Sequence, residues 1–216
     1  MIKTSASLLA CDLSNISGEL SRCKAAGIDW VHFDVMDGAF VEQITYGSPV
    51  LKCVRKATDM FLDVHLMVND PMSQIKFFAE AGADLISFHL ESNSSAVQTL
   101  ELIRSFGVKS ALAIKPGTAA EEVYPLLSLC DMVLVMTVEP GYGGQAFIPE
   151  TLEKIRQLRE YAGGDLDIEV DGGINAKTAP LVKEAGANVL VAGTGLFKAE
   201  DMVQANAALK APQKGA

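Results

Sequence analysis

AAGIDWVHF, residues 25–33, returns in altered form as EAGADLISF at 80–88 and as EAGANVLVA at 184–192. Each copy reads as small residues, a glycine where a helix must stop, and then an apolar, partly β-branched run with strand character. Helix, glycine and strand in repetition imply parallel strands, because parallel neighbours need a long crossover and the crossover is usually helical. Working outward from these junctions, strands are expected at 4–9, 29–35, 61–67, 84–89, 108–114, 131–137, 167–171 and 188–192. Helix starts fall between them: Asp70 before Pro71, capping boxes at Ser95 with Gln98 and at Thr118 with Glu121, and Asn175 ahead of the seventh helix. The segments that follow carry an apolar stripe, as in Leu152, Ile155 and Leu158. Eight units of about 27 residues each lie near the minimum for a βα repeat, so the expected α/β fold is a compact (β/α)8 TIM barrel, with an open doubly wound sheet as the alternative. No linker or low-complexity segment divides the chain. Residues 1–216 are therefore read as a single barrel domain, its last ten or so residues forming a loose tail of Ala, Lys and Gln.

The 216 residues are 49% hydrophobic and 21% charged, with a net charge of −9. That composition excludes a disordered or fibrous chain, and the acidic balance offers no basic field for nucleic acid and no polybasic handle for a membrane. The opening MIKTSASLLACD is apolar too briefly for a signal sequence, and the longest apolar run, MVLVMTV at 132–138, is too short to span a bilayer. A soluble cytoplasmic protein is expected. Cysteines 11, 23, 53 and 130 show no metal-binding spacing and are read as reduced thiols.

The strand within DWVHFDVMDG, residues 29–38, holds a histidine and an aspartate in a segment otherwise suited to burial. Alternate side chains share a face, so Val31, Phe33 and Val35 point one way and His32, Asp34 and Met36 the other. In a barrel the apolar set packs on helices, which aims His32 and Asp34 inward near the carboxyl end where barrel enzymes build their sites. Asp37 falls on the wrong parity and is assigned to the turn before Gly38. LDVHLMV repeats the pattern with Asp63, His65 and Met67, and DIEVDGG does so with Glu169 and Asp171. Ionisable groups converging on one axis must pair or bind a metal, since an isolated buried charge costs several kcal/mol. His32, Asp34, His65 and Asp171 form a nitrogen and oxygen set suited to one divalent transition ion, Zn, Mn, Fe or Co. His89, ending strand 4, is assigned either a hydrogen bond to a neighbouring strand or a substrate contact. Met36, Met67 and Met136 sit at corresponding strand ends and are read as packing beneath the site.

VEPGYGGQAF, DGGIN and AGTGLF follow strands 6, 7 and 8. Three glycine-rich turns on the catalytic side let backbone amides approach an anion, and loops 7 and 8 are where barrels commonly hold phosphate. No P-loop, dinucleotide fingerprint or acyl-transfer constellation is present. Asp34 and Asp171 come from opposite sides of the mouth, so one could remove a proton next to a carbonyl and the other return it on the opposite face, through a metal-stabilised enediolate. A Schiff-base aldolase using Lys115 and a non-catalytic sugar-phosphate binding protein are the remote alternatives.

HFDVMDGAFV, DVHLMV, AGAD, VMTVEPGYGGQAFIP, EVDGGIN and VAGTGLF together resemble the ribulose-phosphate 3-epimerase family over about residues 4–200. The resemblance implies an isomerase of the pentose phosphate pathway that interconverts D-ribulose 5-phosphate and D-xylulose 5-phosphate. It implies that His32, Asp34, His65 and Asp171 bind the metal and that Asp34 and Asp171 are the acid and base. Ser7, His32 and His65 would contact the sugar, with Asp171 beside them. Gly141, Tyr142, Gly143 and Gly144, then Gly172, Gly173, Gly193 and Thr194, would hold the phosphate end. A homo-oligomer is also implied. The chain departs from the family pattern at Ala6, at Glu42 and Gln43, and at Thr194 with Gly195, the last resembling a relative that acts on D-allulose 6-phosphate.

Overall fold

The apolar runs close into a ring. The structure, a computed structural model, describes residues 1–212. Its strands are β1 (Lys3–Ser7), β2 (Trp30–Met36), β3 (Phe61–Met67), β4 (Leu85–His89), β5 (Lys109–Ile114), β6 (Met132–Met136), β7 (Asp167–Asp171) and β8 (Val189–Ala192). They form a closed barrel in chain order, and the parallel pairing of β8 with β1, Lys3 opposite Val189 through Ala6 opposite Ala192, excludes the open sheet. The crossovers use α1 (Ile16–Ala25), α2 (Ser48–Ala57), α3 (Ile75–Ala81), α4 (Ala96–Ser105), α5 (Thr151–Ala162) and α6 (Ala179–Ala185), and β8 is followed by α7 (Thr194–Phe197) and α8 (Met202–Lys210). Among the described residues no helix is long and apolar enough to cross a membrane, and all four cysteines are free.

Several expectations need correction. β1 stops at Ser7 because Leu8–Ala10 turn into a 3₁₀ helix. Asp70 does not cap α3: it accepts from Ser94 Oγ at 2.7 Å, while the chain makes a turn from Pro71 and enters the helix only at Ile75. The crossover between β5 and β6 contains 3₁₀ turns, Ala120–Glu122 and Tyr124–Leu129, and no α-helix. Pro125 lacks an N–H and would collide with the carbonyl four residues back, so an α-helix begun near Thr118 cannot continue through it, and it stands instead in the first turn of the second 3₁₀ segment. The proposed Thr118 and Glu121 box is displaced by one residue, Glu122 accepting from Ala119 N–H while Thr118 turns to Glu91. The end of the chain is not loose through Lys210: α8 buries Asn206 and Leu209, and Lys210 reaches Asp29 at 2.7 Å. Residues 213–216 of the expected tail lie outside the described residues. Ser95 caps α4 as expected, whereas Asn175 accepts from Lys177 N–H at 2.8 Å in the turn before α6 and does not cap the helix, which starts at Ala179.

A shared clasp explains the recurring junctions. The residue two places after the glycine in each motif precedes an even-numbered strand, and its side chain accepts from the backbone N–H near the start of the odd-numbered strand before it. Asp29 takes Thr4 N–H at 2.8 Å, Asp84 takes Leu62 N–H at 2.8 Å and Asn188 takes Ile168 N–H at 2.7 Å; Asp131 does the same for Ser110 at 2.9 Å without the glycine motif. Each clasp residue also donates its own N–H back to the carbonyl of the same partner. Gly82 and Gly186, both in the left-handed region, lie flat beneath Arg55 and Arg159, where an added Cβ would come within 2.6 Å of those side chains. Inside the barrel, Trp30 stacks on Phe61 with ring centroids 4.4 Å apart and packs with Leu85, Ala111, Met132 and Val189. This apolar floor seals the amino end beneath the polar layers.

Candidate metal centre and active site

Parity places the polar layers. Val31, Phe33 and Val35 join the core between barrel and helices, as do Val64 and Leu66, leaving His32, Asp34, Asp63, His65, Glu169 and Asp171 on the barrel side. Parallel register sets Asp34 beside His65 and Met36 beside Met67 on β2 and β3, with Met136 beside Asp171 on β6 and β7. His32, His65, Asp63, Glu169 and His89 are fully buried and Asp34 nearly so.

The uppermost layer gathers His32, Asp34, His65 and Asp171, whose ligating atoms all lie within 4.8 Å of one another. His32 Nε2 is 3.2 Å from Asp34 Oδ1 and 3.9 Å from Asp171 Oδ2, and it has no hydrogen-bond partner. His65 Nδ1 is 3.3 Å from the same Asp34 oxygen. A buried imidazole nitrogen without a partner, facing two carboxylates and a second imidazole, fits a divalent transition ion. The cluster can therefore chelate a metal ion.

The layer beneath holds groups that the site prediction left out. His32 Nδ1 lies 2.6 Å from Asp63 Oδ2, and Ser5 donates weakly to the same oxygen at 3.5 Å. A carboxylate oxygen accepts, so Nδ1 carries a proton toward Asp63 and Nε2 is the nitrogen turned to the upper layer. Glu169 Oε1 lies 3.9 Å from His32 Nδ1, and both Glu169 oxygens lack partners. Because Asp63 already occupies Nδ1, the group of His32, Asp63 and Glu169 is a supporting layer and not a second ligand set. Asp63 and Glu169 face inward by the same alternation as the ligands, so parity was the available signal.

Charge in this dry interior sorts the carboxyl groups. Burial opposes ionisation of Asp34, but His32 and His65 outweigh it and hold the group far below the usual carboxylate range; Ser7 Oγ also donates to Asp34 Oδ2 at 2.7 Å. Burial, reinforced by Asp34 and Asp63, raises Asp171 to about 6 against the pull of His32 and His65. Glu169 is pushed well up by burial and by Asp63. Burial favours neutral His32, yet Asp34 and Asp63 reverse this and hold it well above the ordinary imidazole value. One aspartate is thus held ionised and the other is set near neutrality.

Above the cluster opens a cavity of about 670 Å³, within the range of small-molecule sites. Ser7, Asp34, Asp171, the three methionines Met36, Met67 and Met136, Gly141, Tyr142, Gly143, Gly144, Gly172, Gly173, Gly193 and Thr194 all line it, whereas His32 and His65 lie below its wall. The methionines form an apolar wall 1–4% exposed, and Tyr142 stands open at 59%. The cavity also takes in Asn175, read from the sequence only as a helix start, and Thr178 and Lys198, which the sequence reading did not single out. Gly172 and Gly173 have positive φ of 121° and 65°; a Cβ would lie 2.4 Å from Val138 Cγ2 at the first and 2.7 Å from Phe147 N at the second. Only glycine lets the loops after β6 and β7 come this close.

Asp37 shapes the turn as expected, accepting from Ala39 and Phe40 N–H at 2.9 and 2.8 Å and from Asn69 N–H at 2.7 Å. The unusual Glu42 and Gln43 sit in a loop that folds back on β2, closed by Gly38 N–H to Gln43 O and Thr45 N–H to Met36 O. Lys115 does not line the cavity; its Nζ sits 4.1 Å over the Phe40 ring, away from a Schiff-base position. His89 does bond to a neighbouring strand, through His65 at 3.0 Å.

Closed parallel barrel and buried donor set together define a (β/α)8 protein with a candidate metal centre at its carboxyl mouth. Within that class the chain belongs to the Ribulose-phosphate 3 epimerase family, whose model matches residues 3–197. It is 42% identical over 217 residues to the cytoplasmic isoform of ribulose-phosphate 3-epimerase from Oryza sativa subsp. japonica, covering 99% of this chain and 95% of that protein. It is 44% identical over 209 residues to the ribulose-phosphate 3-epimerase of Bacillus subtilis, covering 95% and 96%. Among solved structures, 3-keto-L-gulonate-6-phosphate decarboxylase from Vibrio cholerae superposes with a TM-score of 0.69 at 16% identity over 97% and 95% of the two chains, a likeness of fold alone.

Proposed function

We propose that this chain is a metal-dependent isomerase that inverts C3 of D-ribulose 5-phosphate to give D-xylulose 5-phosphate, a step of the pentose phosphate pathway. The observation that carries the reading is the meeting of Asp34 and Asp171, from β2 and β7, with both histidines beneath one glycine-edged cavity. His32 Nε2, His65 Nδ1 and the two aspartates would hold one divalent ion, Zn, Mn, Fe or Co. When bound, such an ion polarises the C2 carbonyl and stabilises the enediolate. Asp34 and Asp171 flank the substrate, one taking the C3 proton and the other supplying one to the opposite face, with roles exchanged in the reverse direction. Ser7 orients Asp34 and contacts the sugar, while Met36, Met67 and Met136 exclude water from the reacting carbon. Backbone groups of Gly141–Gly144, Gly172, Gly173, Gly193 and Thr194 receive the phosphate, so an acidic protein binds an anionic substrate through local dipoles.

Incubated with D-ribulose 5-phosphate in heavy water, the chain is expected to incorporate deuterium at C3 and yield xylulose 5-phosphate. Binding without exchange would refute the assignment. Thr194 with Gly195 supports a second reading, D-allulose 6-phosphate epimerisation by the same chemistry, and the ratio of rates on the two substrates separates them. The name of the rice relative supports a cytoplasmic location, and family membership supports assembly of several copies, which sedimentation would read directly.

A further inference from the structure

The two candidate metal-binding imidazoles are backed by different devices. His32 is held by a carboxylate directly, through Asp63. His65 has no carboxylate behind it: its Nε2 is 3.0 Å from Nε2 of His89, and the two buried rings are tilted 36° with centroids 5.1 Å apart. Two imidazole nitrogens at that distance share one proton, so one is an N–H and the other a lone pair. His89 Nδ1 is in turn 3.1 Å from Glu91 Oε2. The remaining Glu91 oxygen, Oε1, accepts from Lys115 N–H at 2.8 Å and from the Thr118 hydroxyl, which anchors the carboxylate in the loop after β5.

We propose that Glu91 and His89 are positioning residues that set the tautomer of His65 and so aim its Nδ1 lone pair at the metal position. Each end of the pair faces a carboxylate, and the Glu91 contact, 3.1 Å against 3.3 Å from His65 Nδ1 to Asp34, sets the direction of the relay. Glu91 is acceptor-only, so His89 carries its proton on Nδ1 and presents a lone pair at Nε2. His65 then carries its proton on Nε2, and Nδ1, which faces Asp34, is left free to ligate. A histidine interposed between ligand and carboxylate extends the usual outer layer by one residue and ties it to the β5 crossover.

This inference rests on the metal-centre reading above, but its test does not depend on the substrate. In the metal-free native chain, long-range proton–nitrogen correlation spectra are expected to show His65 as the Nε2–H tautomer and His89 as the Nδ1–H tautomer. In Glu91→Gln the amide oxygen stays with Lys115 N–H and Thr118, so the NH₂ group faces His89. The relay is then expected to reverse, leaving His65 with Nδ1–H, and the Kd for Zn²⁺ measured by competition is expected to rise about 10- to 100-fold. An Nδ1–H tautomer of His65 in the native chain would overturn the inference without recourse to any variant. So would a folded Glu91→Gln protein with native tautomers and native Zn²⁺ affinity. Expected tautomers in a chain that exchanges no C3 proton would refute the proposed activity and leave the relay standing.

Discussion

Asp171 and Asp34 are the same residue type in the same layer with different electrostatics: burial raises the first to about 6, and two imidazoles hold the second ionised. Asp171→Asn is expected to lower C3 exchange by at least about 10²-fold with an unchanged circular dichroism spectrum, because the amide can neither accept the proton nor complete the ligand set. Asp63→Ala tests the layer beneath. It strands the buried His32 Nδ1–H, and weaker Zn²⁺ binding by about 10- to 100-fold is the expected result of a competition titration. Glu91 supplies a pH test. Its carboxyl sits near 2 in the folded chain against an ordinary value of 4.5, because hydrogen bonds from His89, Thr118 and Lys115 N–H outweigh burial. A depressed folded value means that its stabilisation is complete above about pH 4.5 and disappears as pH falls through 2. Denaturant titrations across that window should therefore show Glu91→Gln with a pH slope shallower by about one proton. His32, Asp34, His65 and Asp171 were legible because strand parity alone puts them inside. Of the His65, His89 and Glu91 contacts only a bond from His89 to a neighbouring strand was anticipated, since the partners depend on which strands are neighbours. The spacing of His89 and Glu91 nonetheless repeats that of His32 and Asp34.

At the level of strands and helices, each clasp fastens the start of an odd-numbered strand to the residue that leads into the next. Asn188 accepts from Ile168 N–H and donates to Asp167 Oδ1 at 2.6 Å, while Arg159 reaches Asn188 Oδ1 at 3.3 Å. Asn188→Ala leaves the Ile168 amide unpaired at the foot of β7. A cost of about 1–3 kcal/mol follows, readable as a Tm lowered by about 2–4 °C per kcal/mol. The strands were legible to within one or two residues, because alternation and the glycine stops both mark them. Crossovers were less so: cap residues such as Asp70 and Thr118 serve equally well as partners for a neighbouring loop, and only the fold decides which they do. Pro125 was the visible warning against an α-helix between β5 and β6.

For the molecule as a whole, closure into a barrel was inferred from unit length, and what decides it, the pairing of β1 with β8, joins residues too distant for any local pattern to reveal. The clasps say something further about how that ring is put together. They join β1 to β2, β3 to β4, β5 to β6 and β7 to β8, always within a pair and never across the boundary between pairs. The barrel is thus a cycle of four quasi-equivalent quarters, each bringing its own fastening. Circular permutants offer the comparison. New termini at the exposed Gly163–Gly164 turn keep every quarter contiguous, whereas termini at Gly27–Ile28 put the two halves of the first fastening at opposite ends of the chain. Stopped-flow refolding is expected to be faster for the first permutant than for the second, because only the second must close its quarter across the full length of the polypeptide.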